Sequence, residues 1–161
     1  MKVRGILNII LINLMIFFAL VSIHEMSHAI MSYCLGCEYE KAVLFDSKFN
    51  GPHTEFFCSN KMSEILVYSI SLIITTIFSL GFIFLDSPER NMFFISLGIS
   101  ITFSSSDIGI VFNTQTIFYP LLTAGFFLIT AGEYFMAFSH IKEDFSFDFL
   151  RNKKNYPVEE V

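Results

Sequence analysis

Hydrophobic and polar positions alternate along this chain on the scale of whole helices. Long apolar runs cover residues 6–33, 65–85, 92–112 and 117–138, and shorter polar stretches separate them. Each run reaches the roughly 20 residues that an α-helix needs to cross the hydrocarbon core of a bilayer. The third run is apolar except for the sequence SSSD. The pattern predicts an all-α polytopic membrane protein with about four transmembrane helices.

The connection between the first and second apolar runs, residues 35–62, is the longest one and has a different pattern. Apolar β-branched and aromatic residues in EYEKAVLF and HTEFFC flank DSKFNGPH, whose Asn, Gly and Pro are turn formers. We therefore expect a short β-hairpin after the first helix. Residues 1–138 then form a single membrane-embedded domain, and residues 139–161 form a polar C-terminal tail.

Composition supports the membrane assignment. The chain has 161 residues, of which 53% are hydrophobic and 16% charged, whereas soluble domains average about 25% charged residues. The first apolar run is too long for a cleaved signal peptide, so we interpret it as a retained helix. The formal net charge of −5 offers no basic patch for nucleic acid, so the partners we expect are the lipid bilayer and another protein.

Basic residues predict the orientation, because Lys and Arg are more frequent in short loops on the cytoplasmic side of the membrane than in those on the other side. With four spans, the N-terminus, the second connection and the tail share one side of the membrane. That side carries seven basic residues: Lys2, Arg4, Arg90, Lys142, Arg151, Lys153 and Lys154. The other side carries Lys41, Lys48 and Lys61. We expect a multi-pass protein of the cell membrane with cytoplasmic N- and C-termini and the hairpin outside.

Three cysteines lie around the hairpin. Cys34 and Cys37 follow the end of the first apolar run, and Cys58 ends HTEFFC. An external loop permits a Cys37–Cys58 disulfide. A Cys-x-x-Cys metal knuckle is the alternative, although a second cysteine pair is missing, and three unpaired thiols remain a third possibility.

The first apolar run contains the sequence HEMSH, formed by His24, Glu25 and His28 at the spacing His-Glu-x-x-His. Residues four apart share one face of a helix, so both imidazoles can bind a single ion. Glu25 lies about 100° round the helix from His24, where it can act as a general base rather than as a ligand. A carboxylate inside a span costs at least about 2.5–3.5 kcal/mol to insert, which favours a functional role. A polar helix face that only hydrogen-bonds its neighbours is the structural alternative.

A catalytic zinc site usually takes three protein ligands, so a third one is needed. His24 and His28 lie roughly 6–12 Å past the centre of the first span, and Asp107 lies about 7–8 Å past the centre of the parallel third span. The matching depth favours Asp107. His53, on the same side but in the loop, remains the alternative ligand. Glu133 and His140 fall on the opposite side, where a helix-interior hydrogen bond and an interfacial position are expected.

Polar residues near Asp107 extend the candidate site. The sequence SSSDIG supplies hydroxyl groups and a glycine, which allow close helix packing and hydrogen bonds to ligands. Asn113 and Gln115 follow, where they could hold an extended substrate backbone. An ordinary polar turn at the membrane interface explains these two residues equally well.

A membrane-embedded HEMSHAIMSYCLG, followed by a hairpin and a later span with an aspartate, resembles the site-2 protease family of intramembrane zinc metalloproteases. Ala29 and Gly36 match the small residues that continue the family's motif helix. The resemblance covers most of residues 6–138. It implies zinc bound by His24, His28 and Asp107, with Glu25 as general base.

The resemblance also implies a transmembrane protein or peptide substrate, unwound beside a loop strand and cut within the membrane. In SSSDIG the glycine is displaced by one residue from the family's Asp-Gly motif. Well-known members place the hairpin on the cytoplasmic side, whereas the Lys/Arg distribution here places it outside. The function we expect is that of a zinc metalloendopeptidase. The alternative is a non-catalytic metal-binding membrane protein, either a pseudoprotease or a transporter.

Overall fold

The computed structural model describes residues 3–43, 52–86, 89–112 and 115–153. Four α-helices and one two-stranded sheet make up the fold. In chain order these are α1 (Val3–Cys34), β1 (Glu38–Val43), β2 (His53–Phe57), α2 (Lys61–Leu80), α3 (Met92–Phe112) and α4 (Gln115–Lys153). Short 3₁₀ turns at Gly81–Phe84 and Glu89–Asn91 lie in the connection between α2 and α3. The predicted fold class, four long helices with a hairpin after the first, is confirmed.

The four helices are long and apolar enough to cross a membrane, over Ile9–Cys34, Lys61–Phe84, Glu89–Phe112 and Thr116–Ser139. Many of their large apolar side chains face outward, among them Met15, Ile77 and Phe127. Such a surface would be unusual for a soluble monomer but suits lipid. The fold is therefore compatible with a multi-pass membrane protein.

Local sequence turns the chain sharply at the end of α1. Gly36 adopts a left-handed conformation with φ of 68°, which glycine reaches without the steric cost of a Cβ. The Gly36 N–H donates to the Tyr33 carbonyl at 3.2 Å, and the Cys37 N–H donates to the Ser32 carbonyl at 2.9 Å. This pair of bonds is a Schellman motif. It ends the helix and directs the following strand back along α1.

The hairpin lies against α1. Its strands are antiparallel, with Glu38 opposite Phe57 and Val43 opposite His53, and the register shifts between Tyr39 and Lys41. The turn that we predicted over DSKFNGPH lies largely outside the described residues. At the open end of the hairpin, Cys37 and Cys58 form a disulfide, while Cys34 is a free, exposed thiol.

Two kinds of interface hold the helices together. A cluster of buried apolar side chains joins α1, α3 and α4, and it consists of Ile16, Leu20, Met92, Ile95, Ile99 and Met136. Buried hydroxyls line α2 and α3 instead, and the hydroxyls of Ser79 and Ser100 lie 3.5 Å apart. Small polar residues allow transmembrane helices to approach closely. This close approach places α3, which carries Asp107, beside α2 and α1.

Candidate metal centre

The HEMSH segment lies within α1, and the helix presents both histidines on one buried face. His24 and His28 are 4% and 3% exposed, and their Nε2 atoms lie 3.2 Å apart. Since residues i and i+4 are neighbours on a helix surface, the two rings converge on the same point. The intervening Ser27 donates its hydroxyl to the Ile23 carbonyl at 2.6 Å and stays within its own helix.

Asp107 reaches this point from α3. Its Oδ2 atom lies 3.0 Å from Nε2 of His24 and 3.2 Å from Nε2 of His28. The Ser71 hydroxyl on α2 lies 3.3 Å from the same oxygen and 3.1 Å from the Tyr68 carbonyl oxygen, so both are acceptors within its reach. The structure therefore brings together the three residues that the sequence analysis selected as ligands. We call His24, His28 and Asp107 the triad.

The geometry of the triad fits a tetrahedral zinc site. Its three donor atoms lie 3.0–3.2 Å from one another. Ligand atoms at tetrahedral angles and about 2.0–2.1 Å from zinc are separated by about 3.3–3.4 Å. Two imidazole nitrogens and one carboxylate oxygen are also donors that zinc accepts. The same distances suit an ion pair between Asp107 and a protonated imidazole, so the geometry alone is compatible with both arrangements.

The second ring nitrogen of His28 supports a role as ligand. Its Nδ1 lies 2.8 Å from the main-chain carbonyl oxygen of Val67, a fully buried residue on α2. A carbonyl can only accept, so Nδ1–H donates, and in the neutral ring Nε2 then keeps its lone pair toward the triad. Histidines that bind metals commonly donate their other N–H in this way. Nδ1 of His24 is buried and has no hydrogen-bond partner among the described residues.

Glu25 is buried beside the triad without belonging to it. It is 3% exposed, and the cluster of groups able to hold a metal contains only the triad within the described part of the chain. The Thr54 hydroxyl on β2 lies 2.7 Å from Oε2 of Glu25 and 3.2 Å from its main-chain oxygen. The hairpin thus contacts this carboxylate directly.

The alternation of side chains along β2 explains which hairpin residues face the triad and Glu25. Thr54 and Phe56 share one face of the strand, and that face points toward α1. The Phe56 ring stacks on His28 with centroids 6.4 Å apart and contacts Tyr68 at 5.0 Å. Tyr68 in turn meets the edge of His28 at 5.9 Å. Two aromatic rings therefore flank this imidazole.

His53 lies on the other face of β2, which is why the structure does not bring this alternative ligand into the triad. Its Nε2 lies 3.2 Å from Oε1 of Glu55, and the Lys41 ammonium lies 3.2 Å from the same oxygen. The Lys41 hydrogen bond, aided by His53, holds the pKa of the exposed Glu55 carboxyl below its ordinary value. His53 nevertheless lines the cavity beside the triad.

A cavity of about 640 Å³ opens onto the triad and Glu25. Polar side chains from the middle of α3 line it together with apolar ones from α4. The members from these helices are Thr102, Phe103, Ser105, Ser106, Ile110, Phe118 and Leu122. The hydroxyls provide a polar path to the triad at a depth where the outer surface of the helices is apolar.

The remaining candidates lie elsewhere. Asn13 on α1 donates to Glu133 on α4, which is an interhelical hydrogen bond away from the triad. His140 lies in α4 beyond Glu133, and its side chain is outside the described part of the chain. Asn113 lies outside the described residues, and Gln115 begins α4 with a side chain that is likewise not described.

Sequence reasoning missed three groups around the site: the Thr54 hydroxyl, the Ser71 hydroxyl and the Val67 carbonyl. The period-two pattern of HTEFF could have indicated that Thr54 and Phe56 share a face. No pattern identifies a particular main-chain carbonyl, because every residue carries one.

Comparison with known protein families, with curated proteins and with solved structures finds no match for this chain.

Proposed function

We propose that this protein is an intramembrane zinc metalloprotease similar to the site-2 protease family. The observation that carries the proposal is the convergence of His24, His28 and Asp107, from two membrane-spanning helices, beside a buried carboxylate on Glu25. A zinc ligand set and a general base at one cavity are the parts that peptide hydrolysis needs.

In this proposal the triad holds the zinc ion. The ion, when bound, supplies Lewis-acid chemistry toward water and toward the carbonyl of the scissile peptide. Glu25 takes a proton from the attacking water as the new C–O bond forms, and returns it to the amide nitrogen as the C–N bond breaks. The products are a carboxylate and an amine. The Val67 carbonyl keeps the His28 ring in its binding orientation throughout.

The cavity provides what hydrolysis at membrane depth requires. Water must reach Glu25, and the hydroxyl-bearing side chains of Thr102 and Ser106 lie along the cavity that leads to it. The substrate would be a transmembrane segment that unwinds before cleavage, since a helical peptide bond is engaged in its own hydrogen bonds. Of the two strands, β2 is the one that reaches the cavity, and an extended substrate beside it would use a common mode of peptide recognition.

The sidedness we propose is a hairpin outside the cell membrane, with both termini in the cytoplasm. The Lys/Arg distribution supports it. The Cys37–Cys58 disulfide supports it independently, because disulfides persist in oxidising compartments and are rare in the cytosol.

Metal analysis of detergent-purified protein, paired with the Glu25→Gln variant, tests the proposal. We expect about one zinc per chain in both proteins, and cleavage of a transmembrane peptide by the wild type alone. Glutamine matches glutamate in size but cannot accept the proton. Cleavage by Glu25→Gln would overturn the assignment of the base. Zinc without any Glu25-dependent cleavage would instead favour the non-catalytic metal-binding protein, and a zinc-free triad would identify an ion pair.

A further inference from the structure

We propose that Thr54 is the positioning residue for Glu25, so that the hairpin directly orients the general base. The inference rests on the proposed function and adds a residue that the His-Glu-x-x-His pattern does not contain. Two contacts between Thr54 and Glu25 carry it.

The two distances identify which Glu25 oxygen accepts the hydrogen bond from the Thr54 hydroxyl. Oγ1 of Thr54 lies 2.7 Å from Oε2 of Glu25 and 3.2 Å from the Glu25 main-chain oxygen. A hydroxyl has one hydrogen to donate, and the shorter distance assigns it to the carboxylate. A hydrogen bond to a charged acceptor is also the stronger kind. Oε2 is therefore engaged, which leaves Oε1 to receive a proton.

Glu25 needs such a partner because its side chain is long. A general base must lie within hydrogen-bond reach of the proton that it takes, and small misplacements lower the rate. Helix α1 fixes only the backbone of Glu25, and the torsions beyond Cβ require another anchor. The Thr54 hydroxyl provides this anchor from the opposite wall of the cavity.

The hairpin is built firmly enough to serve as an anchor. The Schellman motif at Gly36 directs it toward α1, and the Cys37–Cys58 disulfide closes its open end. Phe56, two residues beyond Thr54 on the same face, packs on His28 and Tyr68. Thr54 is thus held by its strand pairing opposite Ala42 and by the packing of Phe56 on the same face.

Two substitutions separate the hydroxyl from the shape of Thr54. Thr54→Val keeps the branched shape but removes the donor, whereas Thr54→Ser keeps the donor. Thr130→Val is the matched control, because the exposed Thr130 hydroxyl donates only to main-chain oxygens of its own helix. The measurements are kcat and KM on a synthetic transmembrane peptide, together with zinc content.

We expect Thr54→Val to lower kcat by about 10- to 100-fold, as imprecise placement of a catalytic group does. Zinc content should stay unchanged, because Thr54 does not contact the triad. KM should stay unchanged, because a substrate strand beside β2 would pair with main-chain atoms, which the substitution keeps. Thr54→Ser should restore kcat, and Thr130→Val should behave like the wild type. A wild-type kcat in Thr54→Val, or equal losses in the valine and serine variants, would overturn the proposal.

A second measurement does not depend on cleavage. The infrared carboxylate band of Glu25 can be isolated by subtracting the spectrum of Glu25→Gln. We expect this band to shift in Thr54→Val and to stay in place in Thr54→Ser. If the wild type cleaves no peptide, the proposed function fails. The infrared band then tests by itself whether Thr54 positions the Glu25 carboxylate. A shift then supports the positioning of Glu25 by Thr54, and an unmoved band overturns it.

Discussion

At the scale of single residues, His28 is held on every side of its ring. The Val67 carbonyl accepts from Nδ1, Nε2 faces the triad, and Phe56 and Tyr68 contact the ring from two directions. His24 has fewer such contacts, since its Nδ1 has no hydrogen-bond partner among the described residues. The difference indicates that His28 is the more firmly positioned of the two histidines.

Substitution of Asp107 tests its proposed role as the third ligand. Asp107→Ala would remove one of the three proposed ligands, and loss of an outer-shell partner alone typically weakens metal binding by about 10- to 100-fold. We expect the zinc affinity to fall by more than about 100-fold, measured by competition with a chromogenic chelator.

Asp86→Ala is the control for this experiment, because Asp86 is an exposed aspartate in the connection between α2 and α3. It should bind zinc like the wild type. Full zinc occupancy in Asp107→Ala would show that Asp107 is not the third ligand.

The residues that the sequence predicted and those it did not differ in a physical way. His24, Glu25 and His28 share one helix, so their fixed spacing alone predicts that they lie at one site. Asp107 was found through its depth, which follows from the rise per residue along a span. Thr54 reaches Glu25 only because the hairpin folds back on α1, and neither spacing nor depth contains that information.

At the scale of elements, hydropathy predicted the helices better than their ends. The third run, residues 92–112, coincides with α3. The fourth run, residues 117–138, agrees with the membrane-spanning part Thr116–Ser139, but α4 itself continues to Lys153 through the segment assigned to the polar tail. Hydropathy detects the part of a helix that lipid covers, while Lys, Glu, Leu and Arg favour helix in water as well.

Glycines set the distance between α3 and α4. A Cβ added at Gly125 would lie 2.2 Å from the Thr102 hydroxyl and 2.8 Å from the Gly98 carbonyl oxygen. Main-chain atoms cannot move aside without shifting the helix, and overpacking typically costs about 1–3 kcal/mol. We expect Gly125→Ala to lower the free energy of unfolding by that amount, measured by circular dichroism in detergent.

Gly81→Ala is the matched control for this prediction. A Cβ at Gly81 would meet nothing within 4 Å, and its right-handed backbone suits alanine. This variant should be as stable as the wild type or slightly more stable, because alanine restricts the unfolded chain. Equal losses at both positions would show that the α3–α4 contact does not depend on its glycines.

At the scale of the whole molecule, the triad and the hairpin lie toward the same end of α1. The fold therefore relates the sidedness of the membrane to the chemistry of the site. If the hairpin faces outside, the cavity is entered from the leaflet where the Cys37–Cys58 disulfide is stable. If it faces the cytosol, the disulfide would be exposed to reducing conditions.

Thiol labelling distinguishes these two orientations. Cys34 is free and exposed at the hairpin end of α1, and the other two cysteines are paired. We expect a membrane-impermeant maleimide to label the wild type on intact cells. The double variant Cys34→Ser/Asp86→Cys replaces the free native thiol with a thiol in the α2–α3 connection. That thiol should react only after permeabilisation. The reverse pattern would place the hairpin in the cytoplasm and, since reduction would follow, would leave all three native thiols reactive in denaturant.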